Sequence, residues 1–176
     1  MSTKTKIILV LFSAFLLRLF LIIVFKSYLH PDFLEFEEII NNMLAGKGFL
    51  YIHMGIPLRS VNTPLYSFLS VGIHLITGHS YFAILIVQSL FSMILTYIVF
   101  SIGETIFNER VGILSAVCVA FHPGFIYYDV FKLVPLSIDS FFIAFVALLL
   151  LKFRSRMNFW NMFLVGEVIG FGTLSR

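Results

Sequence analysis

The chain is poor in charge, in cysteine and in tryptophan. It carries 12 Lys and Arg, 9 Asp and Glu, one Cys and one Trp in 176 residues. Soluble domains are roughly one quarter charged, so a charged fraction of 12% beside 60% hydrophobic residues excludes an ordinary soluble domain. A single cysteine, Cys118, excludes an intrachain disulfide and any multi-cysteine metal site. It lies in an apolar run and is expected to be a packed core thiol. The net charge of +3 is small, and no basic patch is interleaved with aromatics, which speaks against nucleic acid as a partner. The five histidines show no His-x-x-x-His spacing. There is no Gly-rich phosphate loop, no Ser-His-Asp arrangement, no Asp-x-Asp pair, no internal repeat and no linker between modules.

What the chain does have is long apolar runs and 22 phenylalanines, with a mean hydropathy of +1.01. Ile7 to Phe25 is a run of about nineteen residues interrupted by Arg18, long enough to cross roughly 30 Å of hydrocarbon. No small-x-small cleavage site follows, so it reads as a retained first span and not as a signal peptide. Further spans are expected at about 82–103, 111–128 (kinked at Pro123), 136–151 and 158–175. The stretch 64–78 opens on Pro64, which suits a helix start, but at about fifteen residues it is short for a crossing. It is read as a helix lying in the interface.

Charge placement supports that choice. With 64–78 excluded as a span, Lys4, Lys6, Arg110, Lys152, Arg154 and Arg156 fall on one side. Asp32, Glu35, Glu37, Glu38, Asp129 and Asp139 fall on the other, with Lys47, Arg59 and Lys132. The expected fold is therefore all-α: a single polytopic helical bundle of about five transmembrane helices, with amphipathic juxtamembrane helices at about 32–45 and 64–78 in an outer loop spanning 29–80. The N-terminus is expected in the cytoplasm of a cell whose plasma (inner) membrane holds the protein. The last apolar segment stops without a polar tail, so the sequence is expected to be the N-terminal portion of a longer protein.

Carboxylates just outside a hydrocarbon span call for a partner or a use. Asp32 and Glu35 share one face if residues 31–45 are helical, where Phe36, Ile39, Ile40, Met43 and Leu44 form an apolar stripe ended by Gly46. Asp139 falls about one turn inside an apolar run, which makes it a functional candidate. Arg59, and Arg176 at the end of the last span, are placed to hold a lipid phosphate by charge-assisted hydrogen bonds. Arg18 and Glu167 lie at matching depths and are expected to form a buried structural pair.

The ordered pieces Asp32-x-x-Glu35-Phe36, Asn42-Met43-Leu44-Ala45-Gly46-Lys47-Gly48-Phe49, Pro64-Leu65-Tyr66, Ile106 to Gly112, His122 to Tyr128 and Gly170-Phe171-Gly172-Thr173-Leu174-Ser175-Arg176 resemble a known family. This is the C-type superfamily of polyprenyl-phosphate-dependent membrane glycosyltransferases, in the branch of protein O-mannosyltransferases and lipid A aminoarabinose transferases. The resemblance implies a donor sugar on a polyprenyl or dolichyl phosphate and a lipid, glycan or protein acceptor at the outer face. It implies that Asp32, with Glu35 beside it, acts as base on the acceptor or holds a divalent metal, and that Asp139 is a second acid. It assigns the lipid phosphate to Arg59. It also implies that this chain is an incomplete enzyme. Without the resemblance, two other classes stay open: a transporter or flippase, which predicts acids along a path at mid-membrane depth, and a non-catalytic membrane scaffold.

Overall fold

The computed structural model describes residues 2–29, 32–33, 35–59, 62–155 and 158–176, with the backbone alone for Asp32 and Phe33. Among them are eight helices: α1 (Thr3–Phe25), α2 (Phe36–Leu44), α3 (Pro64–Thr77), α4 (Tyr81–Ile106), α5 (Glu109–Ala120), α6 (Pro123–Phe131), α7 (Leu136–Phe153) and α8 (Phe159–Ser175). Four short strands join them: β1 (Asp32–Phe33), β2 (Tyr51–His53), β3 (Ile56–Leu58) and β4 (Lys132–Leu133). The fold is all-α. By length and composition, α1, α4 and α7 can each cross a membrane, and α5 with α6 makes a fourth crossing if that pair, bent by 43°, is one span.

Local chemistry explains where the helices begin. Ser2, Ser80, Asn108 and Asn158 each accept a backbone N–H of the first turn through a side-chain oxygen, satisfying donors that have no partner within the helix. The bend between α5 and α6 falls at Phe121–His122. There Pro123 removes a hydrogen bond, and His122 Nδ1 accepts from Gly124 N at 3.2 Å. α2 stops where Gly46 takes a φ of 75°, a conformation that glycine adopts without a steric penalty.

α4 is the central helix and packs on α1, α5, α6 and α7, while α8 lies against α7 and α3. Its approach to α5 is the closest: a Cβ on Gly112 would stand 2.8 Å from Phe100 O and 2.9 Å from Glu104 N. At one end of the bundle Lys6 pairs with Glu109 at 3.4 Å, and both are solvent-facing. The opposite end carries α2, α3 and all four strands. The larger apolar core is at this second end, where Phe36 and Ile40 of α2, Tyr66 of α3, Ile84 and Leu85 of α4 and Leu133 of β4 are all buried. Many large apolar side chains of α1 and α8 face outward, among them Phe12, Phe20, Trp160, Phe163 and Phe171.

Three expectations are corrected. Arg18 does not pair with Glu167. It donates from Nε to Asp129 Oδ2 at 2.8 Å, while Glu167 is turned to the outside of α8. Depth along a helix does not determine rotation about it, and the α8 face that packs on α7 excludes residue 167. Cys118 is exposed on α5 and not in the core. Helix α2 begins at Phe36 and not near residue 32, because Asp32–Phe33 is extended and pairs in parallel with Lys132–Leu133. That partner lies far along the chain, so local periodicity carries no trace of it.

Candidate functional site

The candidate acids and cations gather at the end of the bundle that bears the strands. Asp139 sits in the first turn of α7, half-buried, with its backbone N–H bonded to Pro135 O at 2.9 Å. The α7 start faces the α8 end, so the Arg176 guanidinium lines the same groove as the Asp139 carboxyl. Its Oδ1 is nevertheless buried without a hydrogen-bond partner. A buried carboxylate oxygen left unpaired is costly, whereas Glu37, Glu38 and Asp129 each accept a hydrogen bond.

A groove of about 480 Å³ opens between α7 and α8 at this point. Asp139 and Arg176 supply its charge, and its walls are apolar: Phe142, Ile143 and Val146 from α7, with Val168 and Ile169 from α8. Gly172 lets α8 come close to Phe142, whose Cβ would be 3.2 Å from a Cβ added there. The groove thus joins a long apolar trough to one acid and one base, which suits an amphiphile with an anionic head.

Next to it, Thr63 Oγ1 donates to Ser175 O at 3.1 Å and ties the start of α3 to the end of α8. A second cavity of about 410 Å³ adjoins the α3 start, lined by Phe49, Arg59, Asn62, Pro64 and Phe68. Arg59 is exposed there, and Asn62 Nδ2 is buried with no acceptor. A guanidinium, an unsatisfied amide donor and a helix N-terminus together favour an oxyanion. Asn62 was not among the residues singled out from the sequence. No local pattern marks it, because its significance lies in a donor left without an acceptor.

The Asp32 side chain lies outside the described residues. Its backbone is held at the same end, opposite Lys132 in the β1–β4 ladder, and β4 leads through Val134–Pro135 into the α7 turn that carries Asp139. Glu35 is half-buried at the α2 start and lines neither cavity. The two acids after it are engaged in structure: Tyr81 donates to Glu37 Oε1 at 2.8 Å, and Ile52 N to Glu38 Oε1 at 2.9 Å. Among the described residues no group of three or more His, Cys, Asp or Glu converges as metal donors would.

Asp129 is expected with Asp139 in an acid patch on the outer face, and this too is corrected. It is 1% exposed, accepts from Arg18 and from Ser137 Oγ, and is part of the core. Arg18 also donates to Ala120 O at 2.9 Å and to Ser92 Oγ at 3.2 Å. Every strong group in this cluster has a partner, so it is a fastening between α1, α4, α5, α6 and α7. On α3, burial holds the Tyr66 phenol above its ordinary range, and burial with the neighbouring His79 holds the His74 imidazole below its own.

Residues 61–176 match the dolichyl-phosphate-mannose-protein mannosyltransferase family. The chain belongs to that family. No curated protein and no solved structure matches it. That family is one of membrane glycosyltransferases. The matched segment takes in α3 to α8 and therefore the α7–α8 groove with Asp139 and Arg176.

Proposed function

We propose that this protein takes part in moving a sugar from a polyprenyl or dolichyl phosphate to a lipid, glycan or protein acceptor at the strand-bearing end of its bundle. In this reading five spans place that end outside the cytoplasm of a cell with the protein in its plasma membrane. The N-terminus and the basic end lie inside. The observation that carries the proposal is the groove in which an unpartnered Asp139 oxygen meets Arg176 above an apolar trough.

The chemistry follows from the groups. Transfer needs a base for the acceptor hydroxyl and stabilisation of charge on the departing phosphate. Asp32 takes the hydroxyl proton, the acceptor oxygen attacks the anomeric carbon, and the bond from that carbon to the phosphate oxygen breaks. The electron pair leaves with the polyprenyl phosphate, whose charge Arg59 and Arg176 stabilise. Asp139 orients Arg176 and the sugar, and Glu35 supports the field around Asp32. The isoprenoid chain lies along the apolar walls between α7 and α8.

The test is transfer from a polyprenyl-phosphate sugar by the protein reconstituted in liposomes. Asp32→Asn is expected to abolish transfer while the protein remains folded. Turnover at the wild-type rate in that variant excludes Asp32 as the base. The candidate acids Asp32, Glu35 and Asp139 share one end of the bundle, with Glu167 midway along α8 the exception, which favours this reading over a transport path that would place acids at mid-depth.

A further inference from the structure

The β1–β4 pair is only two residues long on each strand. A ladder of that size is not stable by itself, yet it holds the backbone of Asp32. Something else must fix it. The backbone of Lys132, directly opposite Asp32, is committed to the bundle on both sides. Its N–H bonds to Tyr128 O at the end of α6, and its C=O accepts from Gln88 Nε2 at 3.0 Å. Gln88 is a polar side chain in the middle of an apolar packing surface, 2% exposed. Its own orientation is set by Tyr66, which donates its hydroxyl to Gln88 Oε1 at 2.7 Å. An amide fixed at its oxygen has its nitrogen aimed, because the group is planar.

We propose that Gln88, aimed by Tyr66, is a positioning residue for Asp32. It fixes the carbonyl of Lys132 and so the strand against which the Asp32 backbone is laid. The relay runs from the interfacial helix α3, through α4, to β4 and across to β1. α3 also starts beside Arg59 and is tied by Thr63 to Ser175. One helix therefore governs the placing of the phosphate-side cations and, through the relay, of the acid. The importance given to Asp32 rests on the function proposed above; the effect on the ladder does not.

Two measurements separate these. In a Cys118→Ala background, cysteines replace Asp32 and Lys132, and a short bifunctional thiol reagent links them. Adding Gln88→Leu or Tyr66→Phe is expected to cut the cross-linked fraction by at least about half, as a buried partner is lost. This readout needs no activity. In the otherwise native protein, both variants are expected to lower kcat by about 10- to 100-fold at an unchanged KM for donor, the size expected of a misplaced reacting group. If Gln88→Leu does not fold, Tyr66→Phe, which removes one oxygen, decides. An unchanged cross-linked fraction in a folded variant overturns the inference. A reduced fraction with no transfer even in the wild type leaves the relay standing and sinks the function instead.

Discussion

Two aspartates ten residues apart meet opposite fates. Asp129 is sealed in the middle of α1, α4, α5, α6 and α7, with Arg18 and Ser137 on its two oxygens. Asp139 stands at the edge of a groove between α7 and α8, with one oxygen buried and unsatisfied. Both are carboxylates in apolar surroundings. The first is a completed fastening and the second an incomplete set of contacts. A charge whose partners are all present belongs to the structure, while one that is buried and lacks a partner points to a ligand that supplies it.

The strongest test of this contrast removes one side of the completed pair. Arg18→Met leaves a buried carboxylate alone, at a cost of about 3–5 kcal/mol. Folded protein recovered in detergent is expected to fall sharply, while Arg18→Met with Asp129→Leu recovers better than either single change. Asp139→Asn probes the other side. Its thermal midpoint is expected to stay at or above wild type, because a buried carboxylate with one unsatisfied oxygen becomes neutral, while transfer falls by about 10- to 100-fold. A large drop in stability with unchanged transfer would reverse the two assignments.

The close packing of the first region gives a smaller effect. Gly112→Ala pushes a methyl into the α4 backbone at Phe100 O and Glu104 N. It is expected to cost about 1–3 kcal/mol, read as a lower midpoint, whereas Gly166→Ala on the open face of α8 is expected to change little. The mildest effect concerns pH. His74 has its folded pKa below that of the unfolded chain. Its stabilising contribution is complete above the unfolded value of about 6.5. It is lost as pH falls from that value through the folded one, because over this interval only the unfolded chain takes up the proton. A small decline in midpoint on acidification from pH 7 is expected, and His74→Gln should flatten it.

Much of the scaffold was legible before any coordinates. Apolar runs long enough to be helices and the prolines at 64 and 123 carry their meaning in a few neighbouring residues. The family resemblance was also legible, because its motifs are short and occur in order. The interior pairings were not. Arg18 is matched to Glu167 by depth while Asp129 is read as lying beyond its span, and the local pattern records neither the rotation of each helix nor the inward turn of α6 that brings Asp129 to Arg18. The extended state of Asp32 depends on a strand formed from a distant segment. The uncapped amide of Asn62 and the relay through Gln88 are relations between elements, and composition or period holds no record of them. Among the site residues, Asp139 and Arg176 stand together as their common placement at one end suggested. Glu35 is set apart from both cavities, since α2 turns its packing face toward the core.

The two-residue ladder also has a consequence in time. Lys132 is synthesised a hundred residues after Asp32, so during biosynthesis the acid waits without its neighbour through the emergence of three or more helices. The ladder that sets the Asp32 backbone cannot close until α6 and β4 have both emerged.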